Sequence, residues 1–201
     1  MNKLVWNDEL AEFAQVWANQ CGNGHDTNRK SPDFEGFNGQ GQNAASFWTT
    51  SDQPGQLHQS GNFADFRQVS WFVLSHFFEN HFKSIALYAQ TYFIQAAVQQ
   101  WYEEVRDLPE DATLESYGDD SFGDKTTGHY TQVVWAETKM VGCGAISFKE
   151  KLNGKEYFAK RYVCNYYPPG NFLGNPVYIE TEGEAGEACP NGTENGLCLW
   201  K

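Results

Sequence analysis

Apolar residues return at helical spacing in two stretches of this chain. In the first, Leu10, Phe13, Ala14, Trp17 and Cys21 share one face of a helix. Asn7 stands ahead of it as an N-cap, offering a side-chain oxygen to the unpaired N–H groups of the first turn. Asp8 and Glu9 follow where the helix dipole favours negative charge. Gly22 and Gly24 end the helix and leave His25 in the loop just beyond it. The second stretch starts at Gln95, keeps Val98, Trp101, Val105 and Leu108 in step, and is stopped by Pro109. Lys30 to Gly41, rich in Gly, Asn and Pro, reads as loop, as does the acidic, Gly-containing stretch from Glu110 to Thr127.

A different pattern governs the C-terminal third. Val141 to Phe148 and Tyr157 to Cys164 read as strands, and between them lies Asn153-Gly154, whose residues tolerate the positive φ of a two-residue hairpin turn. With that turn, Leu152 faces Lys155, and counting outward sets Cys143 directly opposite Cys164. Alternation makes this a non-hydrogen-bonded pair with Cα atoms about 4.5 Å apart. A disulfide spans about 4.4 to 6.8 Å, so the pair is bridgeable. The rival reading is two buried free thiols. Beyond Cys164, Pro168, Pro169 and Gly170 stop the strand. The tail past Tyr178 is acidic and Gly-rich, and Cys189 and Cys198 are near enough in sequence to close a small loop. Within that loop Asn191-Gly192-Thr193 is an N-glycosylation sequon, usable in a secreted chain.

Composition narrows the function classes. The formal net charge is -12, and no basic block occurs, which speaks against nucleic acid or an anionic membrane surface as partner. None of the five cysteines sits in a zinc-knuckle spacing, so disulfides in an oxidising compartment are the better reading. An odd count leaves one thiol over. The opening residues carry no apolar run of the signal-peptide kind, so secretion is argued from the cysteines and from resemblance.

Two longer motifs carry that resemblance. Gly128-His129-Tyr130-Thr131-Gln132-Val133-Val134-Trp135 and Tyr162-Val163-Cys164-Asn165-Tyr166-Tyr167-Pro168-Pro169-Gly170-Asn171-Phe172 resemble the two signatures of the CAP family. Leu4 to Leu10, Trp17 to Cys21 and Gly24-His25-Asp26-Thr27 are similar to the insect antigen-five venom allergens in particular. The resemblance implies an α+β fold, a three-layer α-β-α sandwich with a solvent-open cleft, here without the family's first helix. It implies a CAP domain over residues 1–178 and a tail over 179–201 with a Cys189–Cys198 loop. It also implies a cleft constellation of two His and two acidic residues, which falls on His25, Gln42, Glu104 and His129. Gln42 departs from the family's usual Glu, although the insect allergens share the amide; a neutral amide neither acts as a base nor neutralises a cation. Asn28 replaces a family cysteine, and the N-terminal cysteine that pairs with the counterpart of Cys21 is missing. Cys21 is therefore the expected odd thiol.

Taken alone, His25 and His129 would each be an ordinary surface imidazole; motif placement makes them cleft residues. With Glu104 nearby, they form a candidate site for zinc or another divalent cation, weakly bound. No HExxH or GxSxG run supports an enzyme. The expected function is a secreted, non-enzymatic binding protein for a small apolar ligand, a sterol or fatty acid, or for an extracellular protein target. A metal-dependent protease and a toxin-like receptor-binding effector are the alternatives. The aromatic-rich segment at 60–94 lies outside the resemblance. It keeps no single period, and His76, Glu79, His81 and Lys83 rule out a spanning helix. It reads as a helical insertion lining a lipid pocket, as an extra packed helix, or as translated intron, the last predicting loose packing.

Overall fold

The structure, a computed structural model, describes residues 1–29, 39–50, 85–110, 112, 114–118, 121–122, 125–179, 183 and 186–200. Its centre is the hairpin of two long strands, Met140–Leu152 and Lys155–Tyr167, joined by Asn153 and Gly154 at φ 50° and 81°. Leu152 pairs with Lys155 and Cys143 with Cys164, so the turn chemistry sets the register over the whole ladder. A short strand β1 (Val5–Trp6) lies parallel to the first hairpin strand, and β2 (Gly41–Thr49) runs antiparallel to the second. Two-residue strands β3 (Ser121–Phe122) and β4 (Lys125–Thr126) pair within the stretch read as loop. In chain order the hairpin strands are therefore β5 and β6, and the sheet order is β1-β5-β6-β2.

β2 corrects the expectation of loop at Gly41. Its glycine answers a packing need, not a turn: a Cβ there would come 2.1 Å from Gln132 Oε1. The residue opens a strand that places Gln42 opposite Asn165 and Asn43 opposite Cys164.

Side-chain alternation along β6 separates the two faces of the sheet. Val163 packs with Ala14 and Ala18 of helix α1 (Asp8–Asn19) on one face. Tyr162, Cys164 and Tyr166 pack on the other with Ile94, Ala97 and Trp101 of helix α2 (Ile85–Glu103). Helix α3 (Gly128–Val133) lies against α2, and Tyr130 forms a second cluster with Val134, Trp135 and Val177. The result is helix, sheet, helix in three layers.

Asn7 caps α1 by accepting from Leu10 N at 2.9 Å. The buried stripe is Leu10, Ala14 and Ala18, while Phe13, expected inside, is 36% exposed. The reason lies in the strand beneath. A Cβ on Gly142 would come 2.2 Å from Ala11 N, and one on Gly144 would come 2.4 Å from Gln15 Cα. Glycine in the strand and alanine in the helix let the backbones meet, and Phe13 is turned away from that seam. Gln15 completes the join, donating to Ala145 O at 3.0 Å and accepting from Ala145 N at 3.1 Å.

Helix α2 starts well ahead of Gln95, and Ile94 sits in the core at 4% exposure. The end of the 60–94 segment is thus continuous with this helix; residues 60–84 lie outside the described residues. The helix also tightens into a 3-10 turn over Glu104–Asp107 before Pro109. In the tail, β7 (Thr193–Glu194) pairs with β8 (Leu197–Cys198). Lys3 N donates to Cys198 O at 2.9 Å, and Trp200 Nε1 to Lys3 O at 3.2 Å, which ties the tail to the N-terminal residues. Disulfides join Cys143 to Cys164 and Cys189 to Cys198, and Cys21 is free.

Candidate functional site

The two family-like motifs are fastened to each other by part-buried polar bonds. Gln132 of α3 accepts from Gly170 N at 2.9 Å and donates to Thr138 Oγ1. Asn171, at φ 60°, donates to Gly128 O at 2.8 Å and accepts from Thr131 Oγ1 at 2.9 Å. These bonds fix the start of α3, and with it His129.

His129 is held by one carboxylate from two directions. Glu104, in the 3-10 turn after α2, accepts from His129 Nδ1 at 2.6 Å through one oxygen. Its other oxygen accepts from His129 N and Tyr130 N, each at 3.1 Å. The tightening of the chain after Glu103 is what brings this carboxylate to the start of α3. Trp101 backs the imidazole, with ring centres 5.8 Å apart and planes within 22°. Asn43 donates to His129 O at 3.0 Å from β2. Nδ1 therefore carries the proton, and Nε2 keeps its lone pair.

His25 is held in parallel fashion by a neutral group. Gln42 Oε1 accepts from His25 Nδ1 at 3.1 Å and from Asp26 N at 3.0 Å, while Gln42 Nε2 donates to Asn165 Oδ1 at 2.9 Å. The backbone N–H of Asp26 and the acceptor on Asn165 together fix which end of the amide faces the ring. His25 again presents Nε2 as an acceptor. Loss of hydration lowers its pKa from the ordinary 6.5, opposed by the Gln42 bond and reinforced by repulsion from Arg29, the protonated form of His129, and Arg161. That His129 and Arg161 enter this balance sets both imidazoles and a buried guanidinium within one local field.

All four residues expected in the cleft thus lie in two matched pairs, Gln42 with His25 and Glu104 with His129. Glu104 uses both oxygens to hold His129 and the start of its helix. Among the described residues, no three His, Cys, Asp or Glu are gathered as a metal-binding set. Sequence reasoning missed Asn165, Arg161 and the stacked Trp101. The legible signal was two polar residues, Arg161 and Asn165, flanking Val163 on the same face of the strand.

A family model described as "Cysteine-rich secretory protein family" (CAP) matches residues 1–166. The chain belongs to the CAP family. Venom allergen 5.02 of Dolichovespula maculata is 36% identical over 179 residues, covering 89% of this chain and 60% of that protein. Venom allergen 5 of Polybia scutellaris rioplatensis is 37% identical over 183 residues, covering 90% of this chain and 63% of that protein. The CAP chain thus spans about three-fifths of the length of these curated relatives. Among solved structures, BmVAL-1 superposes with TM-score 0.58 at 22% identity, covering 98% of this chain and 76% of that one. A structure described as NaASP2 with Zn2+ gives 0.54 at 23%, with the same coverage. Both share the fold. No helix among the described residues is long and apolar enough to cross a membrane.

Proposed function

We propose that this CAP domain is a secreted, non-enzymatic binding protein whose cleft takes a divalent cation weakly between His25 and His129. One observation carries the reading: both imidazoles are held through Nδ1 by oxygen acceptors, which leaves two Nε2 lone pairs for a metal. Orienting acceptors of this kind are the usual outer partners of metal-binding histidines. The relative solved with Zn2+ supports the choice of ion. Weakness follows from the donor set, since two neutral nitrogens without an ionised ligand leave the charge of the cation uncompensated. Secretion is supported by the two disulfides and by the venom allergen relatives. The cargo is a small apolar molecule or an extracellular protein, as the family resemblance implies.

The protease alternative is disfavoured by chemistry: Gln42 is no base, and among the described residues no hydroxyl or thiol bonds to either imidazole to serve as nucleophile. Zinc calorimetry on the wild type and on a His25→Ala/His129→Ala double variant tests the reading. Binding is expected in the wild type, falling in acid as the pH drops through the lowered pKa of His25 and its Nε2 takes a proton. Equal binding in the double variant would overturn the site.

A further inference from the structure

Arg161 is a charged residue at 1% exposure in the middle of the sheet, and among the described residues no carboxylate pairs with it. Burying a cation without a carboxylate partner is costly, so the strong bond it makes carries weight. That bond runs from Nη2 to the carbonyl of Gly24 at 2.6 Å. The same carbonyl accepts from Trp17 Nε1 at 3.2 Å, and the Trp17 ring centre lies 5.8 Å from the guanidinium carbon. Gly24 has φ 82°, and Cys21, earlier in the same loop, has φ 54°; both sit in the left-handed region that an unsupported loop leaves readily. The next residue is His25.

Arg161 and Asn165 lie on one face of β6, separated along it by the side chain of Val163. Asn165 reaches the loop through Gln42, which holds His25 Nδ1 and Asp26 N; Arg161 reaches it through the carbonyl that precedes His25. One strand therefore pins the loop at two points on either side of the imidazole. We infer that Arg161, with Trp17, is a positioning residue for His25, clamping Gly24 O so that His25 keeps its Nδ1–H toward Gln42 and its Nε2 open. The clamp gains its functional meaning from the proposed cation site. Its geometry concerns the His25 side alone, because His129 has its own holder in Glu104.

The test is the tautomer of each histidine in metal-free protein, read by long-range nitrogen–proton NMR at about pH 8. The wild type is expected to show His25 in the Nδ1–H form. In Arg161→Met the His25 signals shift toward a mixture with the Nε2–H form, while those of His129 stay unchanged. Trp17→Phe, which keeps the ring and removes the second donor, gives a smaller shift in the same direction. Zinc affinity falls about 10- to 100-fold in Arg161→Met, the range for loss of an orienting partner. A folded Arg161→Met with an unaltered His25 tautomer overturns the inference, as does a parallel change at His129, which would mark a general loosening. If Arg161→Met does not fold, Trp17→Phe decides alone: an unshifted His25 overturns the clamp. Absence of zinc binding in the wild type would sink the cation site while leaving the tautomer measurement to judge the clamp.

Discussion

Restoring the acid at position 42 perturbs one half of the cleft and leaves the other as its control. In Gln42→Glu the side chain keeps its reach to His25 Nδ1 and Asp26 N, now with charge-assisted bonds in place of neutral ones. The His25 side then copies the Glu104–His129 pair. A carboxylate beside the ring raises the His25 pKa and strengthens Nε2 as a donor to metal. Zinc affinity at pH 8 is expected to rise about 10- to 100-fold, or about 1.4 to 2.7 kcal/mol. The change also has a cost. Gln42 Nε2 donates to Asn165 Oδ1 at 2.9 Å in a fully buried bond, and a carboxylate oxygen there would set acceptor against acceptor. If Asn165 keeps its orientation, the variant loses about 1 to 3 kcal/mol of stability without metal. Zinc should restore part of that loss by mass action. Calorimetry gives the affinity, and thermal melts with and without zinc give the stability. An affinity for zinc unchanged by the carboxylate, in a variant that melts as a single folded species, would refute the reasoning that Gln42 orients a ligand.

Replacing Cys143 and Cys164 together by Ala removes a bridge across a sequence separation of 21 and should cost about 3 kcal/mol, measured by denaturant unfolding. Gly144→Ala sets a methyl 2.4 Å from backbone atoms of Gln15, which cannot rotate aside, so a loss near the upper end of about 1 to 3 kcal/mol is expected in the same assay. Acid should weaken the metal-free protein through His25. Its folded pKa lies below the ordinary 6.5, so its contribution is complete above 6.5 and is lost as the pH falls through the folded value; His25→Asn should remove that part of the stability curve. Asn191 is exposed beside the Cys189–Cys198 bridge, so protein secreted from eukaryotic cells should lose mass on treatment with peptide N-glycosidase, and Asn191→Gln should not.

The hairpin was legible because its information is local. Asn153-Gly154 admits one tight turn, and a turn propagates register without reference to the rest of the molecule, so Cys143 met Cys164. The cap of α1 was legible for the same reason. The failures arose where a residue answers to something distant. Gly41 reads as a loop residue until Gln132, on another element, is seen to fill the place of its side chain. Phe13 sits in an apolar series, yet Gly142 and Gly144 choose which side of the helix approaches the sheet.

The cleft divides along the same line. Motif resemblance named its four residues, but their roles depend on pairings that no spacing encodes. Gln42 is joined to Asn165 by facing it across two strands, and Arg161 meets Gly24 only because α1 lies over the same sheet face. Read as isolated letters, Gln42 is a neutral amide in place of an acid and Arg161 one charged residue among several in its strand. In the fold the amide offers His25 an acceptor without adding negative charge, and the guanidinium fixes the backbone beside that ring while adding positive charge to its surroundings. Both features favour a neutral, correctly oriented imidazole. Glu104 does the opposite on the far side, where a carboxylate supports His129. With one charged and one neutral holder, the proposed cation site is unequal across its two halves, and this asymmetry is why Gln42→Glu should change affinity when an equivalent substitution on the Glu104 side could only lower it.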